Sequence, residues 1–207
     1  MQQYMKNFEG GTDRKCSTST QKEAFGMLKQ RDLYESNELF ELLSHPSVFP
    51  FVRQKAKTAD QLWFMTRQLM EEEEQGLVVS RTILGDLEQP IGTITLYDIQ
   101  EGAGFLGTWI GQPYQGLGYN QQAKLEFFNE LFFELDFQTV FMKIKKENVK
   151  SQRAVLKLEY ALDAKESHPS LFAQINAGEQ QYELFKIEKD NFYLYSARLA
   201  QSTEQAM

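Results

Sequence analysis

The stretch GTWIGQPYQGLGYN, residues 107–120, leads from a β-prone segment directly into a long amphipathic pattern. The first turn of a helix carries unpaired N–H groups and the positive end of the helix dipole, so it attracts anions. Gly116 and Gly118 have no side chains, which lets the backbone approach a ligand closely. The stretch therefore predicts a strand, a glycine turn and a helix, arranged to bind a phosphate or a diphosphate.

Two other phosphate-binding motifs do not fit this stretch. Gly118 is followed by Tyr119 and Asn120, so the Gly-Lys-Ser/Thr ending of a nucleoside triphosphate loop is missing. The same residues leave the six-residue dinucleotide fingerprint incomplete. The alternative that the glycines leave open is a tight turn that serves only to start the helix.

Strand and helix patterns continue on both sides of the glycine turn. Upstream, three β-prone segments separated by turn residues predict an antiparallel meander over residues 77–84, 91–98 and 105–111. Downstream, a helix is predicted over 119–135, with an apolar stripe formed by Leu125, Phe128, Leu131, Phe132 and Leu135. A strand over 139–145 follows, in which Val140, Met142 and Ile144 share one face. We expect this strand to run parallel to the one before the turn.

The remaining elements are predicted from cap and turn residues. Asp32 starts a helix that ends before His45 and Pro46, and the segment from Thr58 to Gln61 has the spacing of a capping box for a second helix. We interpret the four glutamates at 71–74 as the solvated end of that second helix. The other predictions are a strand over 22–28, a short helix over 151–158, and β-prone segments at 161–167 and 181–195.

The length and composition of the chain favour one globular domain. It has 207 residues, of which 42% are hydrophobic and 13% aromatic, enough for the core of a single α/β unit. Residues 1–20 are polar and show no periodicity, so we expect a flexible N-terminal extension. We expect residues 21–207 to form the single domain.

Charge and cysteine content narrow the classes of function. The formal net charge of -7 disfavours attraction of the whole surface to nucleic acid or anionic lipid, so neither nucleic acid nor membrane is expected as a partner. The only cysteine, Cys16, cannot form an internal disulfide, which fits a reducing compartment. Because no secretory signal and no run of about 18 apolar residues is present, we expect a soluble cytoplasmic protein.

Three separated pieces of the sequence resemble the GNAT superfamily of acetyltransferases, and in particular its ribosomal-protein N-terminal acetyltransferase-like branch. The pieces are Trp109-Ile-Gly111, Gln115-Gly-Leu-Gly-Tyr119 before the long helix, and Asn148-Val-Lys-Ser151-Gln-Arg153-Ala-Val-Leu-Lys157-Leu158. The resemblance is closest over residues 105–160. It implies an α/β (α+β) fold with a mixed, largely antiparallel central sheet flanked by helices.

The resemblance also implies a binding site for acetyl-coenzyme A. In this superfamily the glycine loop binds the diphosphate of the cofactor through main-chain N–H groups. The strand before the loop offers main-chain groups to the pantetheine arm and the thioester carbonyl, and Asn148 helps to fix the same arm. The cofactor-binding residues implied in this way are Thr108, Trp109, Ile110, Gln115, Gly116, Leu117, Gly118, Tyr119, Asn120 and Asn148.

Two residues are candidates for the chemistry. The resemblance places Ser151 near the thioester sulfur, whereas its hydroxyl also fits the alternative role of a helix N-cap. Asp98 lies in the turn between two central strands and is a candidate base that acts through water. Two histidines and one remote cysteine form no metal-ligand pattern, so no metal is expected.

The function that the resemblance implies is transfer of an acetyl group from acetyl-coenzyme A to a primary amine of a protein N-terminus or a small molecule, in a ternary complex. The alternative is a weakly catalytic acyl-coenzyme A binding or regulatory module with the same fold, since Asn120 and Glu159 replace residues usual in the family.

The expected partner is an amine-bearing acceptor, and a homodimer is one assembly that the sequence leaves open. The acidic composition is compatible with a cationic acceptor. The six basic residues from Lys143 to Lys157 could attract a cofactor phosphate or an acidic partner, or could form an exposed face.

Overall fold

The computed structural model describes residues 26–53 and 55–204, so the extension predicted over residues 1–20 lies outside the described residues. In these ranges the chain forms a seven-stranded sheet with helices on both faces. The strands are β1 (Leu28–Gln30), β2 (Val79–Leu84), β3 (Pro90–Gln100), β4 (Ala103–Ile110), β5 (Thr139–Lys145), β6 (Ala161–Asp163) and β7 (Tyr182–Glu188). The helices are α1 (Ser36–Leu43), α2 (Ala59–Glu74), α3 (Tyr119–Asn129), α4 (Val149–Val155), α5 (Pro169–Ile175) and α6 (Lys189–Glu204).

The strand order across the sheet is β1-β2-β3-β4-β5-β7-β6. Strands β2, β3 and β4 form the antiparallel meander predicted from the sequence, and β4 and β5 are parallel neighbours, as predicted. The other neighbouring pairs of the described sheet are antiparallel. The prediction of a mixed, largely antiparallel α/β fold is therefore confirmed.

The helix after the glycine turn supplies the centre of the largest core. α3 continues into a π-helical turn, Glu130–Glu134, so the helix predicted over 119–135 is present. Phe128, Leu131 and Phe132 of the predicted stripe are fully buried, whereas Leu135 lies past the π-helical turn and is 46% exposed. This packing holds α3 against the sheet and places its first turn at the end of β4.

The C-terminal segment differs from the sequence prediction. The β-prone segment predicted over 181–195 is a strand only as far as the end of β7, where α6 begins at once. Aromatic residues have a high intrinsic propensity for β-strands. Here helical spacing places Phe192 and Tyr195 on one face, where both rings contact Tyr160. Tertiary packing therefore overrides local propensity, and the prediction is wrong beyond β7. The sequence did not predict α5.

Helices α1 and α2 are fixed to β4 through Trp109. Thr58 is the N-cap of α2, because its Oγ1 accepts a hydrogen bond from the Gln61 N–H, whereas Gln61 Oε1 accepts from the Lys57 N–H, so the predicted capping box is formed only in part. Helix α1 ends before His45, as predicted. Two small apolar clusters between the helices share Trp109 as a neighbour, and their buried members are Leu39, Ala56, Leu62, Leu43, Val48 and Val52. The α1–α2 pair therefore lies over the end of β4.

Two further details depart from the predictions. The first described strand is β1, later than the strand predicted over 22–28, and residues 22–25 of that prediction lie outside the described ranges. The end of α2 is not simply solvated, because Arg81 Nη1 lies 2.5 Å from Glu73 Oε1. Arg81 also pairs with Glu130, so one guanidinium ties α2 to the end of α3.

We expect Lys124, a lysine on the buried side of α3, to lower the stability of the fold. Lys124 is 8% exposed, and burial lowers its pKa from 10.5 to about 8. Among the described residues its ammonium group has no hydrogen-bond or ion-pair partner. The unfolded chain therefore binds this proton more tightly than the native state does. Replacing Lys124 with Met should increase the free energy of unfolding by up to about 3 kcal/mol near neutral pH.

Denaturant unfolding of Lys124→Met and of the unchanged chain measures this effect. The difference in free energy of unfolding between the two proteins should be largest below about pH 8, where Lys124 is protonated in both the native and the unfolded state. It should shrink as the pH rises towards 10.5, because the native state then no longer has to bury a charged lysine. Replacing the exposed Lys146 with Met should change the free energy by less than about 0.5 kcal/mol. A gain that stays constant over this pH range would contradict the electrostatic explanation and point to packing.

Candidate active site

A groove opens between β4 and β5. The two strands pair only at Ala103 with Thr139, Gly104 with Val140, and Phe105 with Phe141. Beyond Phe105, β4 continues to Ile110 beside β3, and β5 continues to Lys145 beside β7. At about 3.3 Å per residue, the parts that no longer pair with each other are ~16 Å and ~13 Å long. This separation exposes main-chain groups along the inner edge of β4.

The register of the sheet decides which groups of β4 face the groove. The Gly111 N–H donates to the Ile91 carbonyl at 2.8 Å, and in an antiparallel ladder only alternate residues make such bonds. The residues of β4 whose main-chain groups point away from β3 and into the groove are therefore Leu106, Thr108 and Ile110. In agreement, the Ile110 carbonyl accepts a hydrogen bond from the Gln115 side chain at 2.8 Å. The sequence predicted Thr108 and Ile110 as site residues but did not predict Leu106. Only the register of the sheet shows that the main-chain groups of Leu106 face the groove.

Thr108 and Trp109 have different roles in this strand. The Thr108 Oγ1 is buried and has no hydrogen-bond partner among the described residues. An unpaired buried hydroxyl costs about 1–3 kcal/mol. Trp109 instead packs against the α1–α2 pair, and its main-chain groups belong to the ladder with β3. The contact between Trp109 and a cofactor stays a prediction, and in this structure its main chain is paired with Thr93 of β3.

The glycine turn is open to solvent. Gly116 has φ +82° and Gly118 has φ +93°, in the region that favours glycine, and a Cβ at either position would meet nothing within 4 Å. Within the described chain, the N–H groups of residues 116–120 donate no hydrogen bond, whereas those of Gln121 and Gln122 bind the Gly118 carbonyl. Free N–H groups at the start of α3 suit a diphosphate.

The other residues of the turn leave its entrance open. Leu117 is 67% exposed, and Asn120 is half-buried in the first turn of α3. The Tyr119 hydroxyl is hydrogen-bonded to Asp86, which raises the pKa of Tyr119. Because a diphosphate is bound through main-chain groups, the Asn120 side chain does not remove this capacity.

Gln115 and Lys150 lie across the open end of the groove. Gln115 Oε1 accepts a hydrogen bond from Lys150 Nζ at 2.6 Å, while its Nε2 binds the end of β4. Lys150 lies in the first turn of α4, and Gln152 Nε2 donates to the Lys145 carbonyl at 3.2 Å, which holds α4 at the end of β5. An ammonium group therefore lies beside the free N–H groups of the glycine turn. From the sequence, Lys150 was recognised only as one of the basic residues between Lys143 and Lys157, and not as a residue of the glycine-turn site.

Asn148 and Ser151 lie at the start of α4. Asn148 is the N-cap, and its Oδ1 accepts the Ser151 N–H at 3.1 Å. The alternative interpretation of Ser151 as the N-cap is therefore wrong, and the helix begins at Val149 rather than at the predicted residue 151. The Ser151 hydroxyl is half-buried and has no hydrogen-bond partner in the described ranges. It is therefore available to a ligand.

Asp98 lies beside the closed end of the groove. Its neighbour Tyr97 pairs with Phe105, the last residue of β4 that pairs with β5. Asp98 has φ +52° and an exposed side chain. Burial raises the pKa of Tyr97 to about 12, and a Cβ at Gly107 would lie 3.3 Å from the Tyr97 ring. A carboxylate and a neutral phenol therefore lie near the point where β4 and β5 separate.

Two features are absent from the residues that the structure describes. No group of three or more His, Cys, Asp or Glu side chains is placed to hold a metal ion. No helix in the same ranges is both long and apolar enough to cross a lipid bilayer.

The fold and the groove together define a class of protein. A mixed sheet whose parallel pair separates, with a glycine turn and a helix at the open end, is the arrangement of a GNAT fold. The family model described as "Acetyltransferase (GNAT) domain" matches residues 27–161. The chain belongs to this family of acetyltransferases.

Solved structures with this fold belong to proteins that act on different acceptors. Apo FdhC, described as a nucleotide-linked sugar GNAT, has a TM-score of 0.67 and 18% identity, covering 84% of this chain and 92% of its own. A putative ribosomal-protein-serine acetyltransferase from Vibrio cholerae has a TM-score of 0.62 and 17% identity, covering 78% and 92%. A spermidine N-acetyltransferase from Vibrio cholerae, in complex with CoA and spermine, has a TM-score of 0.64 and 10% identity, covering 80% and 96%. At these identities the likeness concerns the fold alone. No curated protein matches the chain.

Proposed function

We propose that the protein transfers an acetyl group from acetyl-coenzyme A to a primary amine by direct attack in a ternary complex. The observation that carries this proposal is the groove. The free N–H groups of the glycine turn and the unpaired edge of β4 follow one another along it. Membership of an acetyltransferase family supports the same reaction, as does the complex with CoA of a spermidine N-acetyltransferase that has the same fold.

The polar groups of the groove match the two polar parts of such a co-substrate. Acetyl-coenzyme A supplies the acetyl group as a thioester at the end of an amide-containing arm that carries a diphosphate. The main-chain N–H groups from Gly116 to Asn120 would hold the diphosphate, with Lys150 beside them. The main-chain groups of Leu106 and Thr108 would hold the arm as an additional strand-like partner of β4.

The chain offers groups for each proton and charge in the transfer. The acceptor nitrogen forms the new C–N bond as the C–S bond breaks, and the electron pair of the broken bond goes to sulfur. The Ser151 hydroxyl donates a hydrogen bond to that sulfur as charge develops there. Asp98 takes the amine proton through water. An α-amine, with a pKa of about 7.7–8.0, needs less help than a lysine amine at about 10.4.

A thiol-release assay with acetyl-coenzyme A and a panel of amines tests the proposal. We expect free thiol to appear only when an amine is present, together with a product that has gained one acetyl group by mass spectrometry. The panel should include α-amino peptides, amino sugars and polyamines, because proteins with this fold act on different acceptors. Saturable coenzyme A binding without transfer to any member would instead support the binding-module alternative.

A further inference from the structure

The side of the groove that faces α1 and α2 is lined with positive charge. Lys143 and Lys145 lie on the same face of β5 as Phe141, because side chains alternate along a strand. The connection between α1 and α2 brings two more cations to this face. We call these four residues, Arg53, Lys55, Lys143 and Lys145, the basic wedge.

The rings of Tyr97 and Phe105 hold two of the four cations, and Lys55 Nζ lies 5.3 Å from the centroid of the Phe49 ring. The Phe105 ring stacks on Tyr97 with centroids 6.1 Å apart. Arg53 Cζ lies 4.3 Å from the centroid of the Tyr97 ring. Lys143 Nζ lies 5.5 Å from the same centroid and 4.6 Å from that of Phe105. A guanidinium and an ammonium group thus share one phenol ring, directly before the point where the groove opens.

A single main-chain carbonyl holds the other two cations. Lys55 Nζ and Lys145 Nζ each donate to the Pro50 carbonyl at 3.3 Å. The second of these bonds joins β5 to the α1–α2 connection. Two ammonium groups that converge on one acceptor repel each other, and a bound anion would offset that repulsion.

Only one of the four cations of the basic wedge pairs with a carboxylate in the described part of the chain. Lys145 lies 3.7 Å from Glu147, whose side chain is 61% exposed. In the described part of the chain, the other three cations of the wedge form no ion pair with a carboxylate. Glu72 and Asp98 line a cavity of about 380 Å³ with Arg53 but stay beyond ion-pair distance. The chain carries a net charge of -7, so the wedge is a local reversal of sign.

We propose that the acceptor carries an anionic group, a carboxylate or a phosphate, close to its amine, and that the basic wedge binds this group. The inference rests on the proposed acetyl transfer in the same groove. An anion beside Arg53 and Lys143 gains charge-assisted hydrogen bonds that the aromatic rings do not supply. A polyamine meets like charge at the same place. The acidic composition suggested a cationic acceptor, whereas the basic wedge favours an acceptor that carries an anionic group.

Matched pairs of acceptors test the charge preference. One pair is glucosamine 6-phosphate and glucosamine, a second is the dipeptide amides Ser-Asp and Ser-Asn, and spermidine serves as the cationic amine. We expect kcat/KM to be at least about tenfold higher for the anionic member of a pair, since a hydrogen bond to a charged group is worth 1.5–3 kcal/mol. The pair with the larger ratio distinguishes phosphate from carboxylate.

Variants of the wedge connect the preference to these residues. Arg53→Gln and Lys143→Gln should each reduce the ratio within the preferred pair by about tenfold and leave the KM for acetyl-coenzyme A unchanged. Arg67→Gln is the matched control, because Arg67 lies on the exposed side of α2 and loses the same charge. This control should keep the full ratio.

The outcomes separate this inference from the proposed function. Acetylation without preference for the anionic members, or a preference that survives both wedge variants, overturns the inference and leaves acetyl transfer standing. If no amine is acetylated, the proposed function fails and calorimetry decides the inference. Protein saturated with coenzyme A should then bind glucosamine 6-phosphate more tightly than glucosamine, and the wedge variants should remove the difference. Equal affinity for the two sugars would overturn it.

Discussion

Gly118→Asp is expected to weaken coenzyme A binding by at least about 100-fold. Gly118 is the N-cap of α3 and has φ +93°, with open space around the position of a Cβ. An aspartate there would place a negative charge beside the N–H groups that would hold the diphosphate, and like charges would repel. It would also strain the backbone by about 1–2 kcal/mol. Calorimetry should show a dissociation constant at least about 100-fold higher, equivalent to about 3 kcal/mol.

Gly76→Asp is the matched control for this experiment. Gly76 follows α2, has φ +72°, and also has nothing within 4 Å of a Cβ position. The substitution therefore introduces the same charge and similar backbone strain away from the groove. Coenzyme A affinity should be unchanged in Gly76→Asp, although both variants should lose some stability. If Gly118→Asp binds coenzyme A as tightly as this control does, the glycine turn is not the diphosphate site.

The sequence predicted the elements whose signals are local. The glycine turn combines two glycines with an apolar helix stripe, and each of these signals lies within a short window. The structure accordingly has the turn, α3 and the meander at the predicted places. The N-cap at Thr58 was predictable for the same reason, since the hydrogen bond joins residues that are close in sequence.

The sequence could not predict features that depend on distant contacts. Phe192 and Tyr195 have strand propensity, and only their packing against Tyr160 makes the segment helical. Ser151 has a good N-cap side chain, but Asn148 lies three residues earlier and takes that position. A choice between two competent caps depends on where the preceding strand ends.

The candidate site was predicted in outline rather than in detail. A glycine turn before a helix indicates an anion site, but the sheet register decides that Leu106 faces the groove while Trp109 does not. Arg53 and Lys143 are distant in sequence, and their shared contact with Tyr97 exists only in the folded chain. Long-range pairing of this kind leaves no periodic signal in one sequence.

Ser151→Ala is expected to slow acetyl transfer by about 100-fold without weakening coenzyme A binding, if the hydroxyl acts on the departing sulfur. The Ser151 hydroxyl has no partner among the described residues, and the N-cap role belongs to Asn148. The substitution should therefore change the free energy of unfolding by less than about 0.5 kcal/mol. Single-turnover kinetics with a saturating acceptor, alongside calorimetry with coenzyme A, measure the two effects separately.

Two further variants decide what the Ser151 hydroxyl does. Ser151→Thr keeps a hydroxyl at this position and should retain most of the activity. Ser170→Ala makes the same change in the first turn of another short helix, at an exposed residue of α5, and should leave turnover unchanged. A parallel loss of turnover and coenzyme A affinity in Ser151→Ala would show that the hydroxyl binds the co-substrate, and unchanged turnover would remove it from the chemistry. Because the cap is supplied by Asn148, a large loss of stability alone would contradict the geometry of α4.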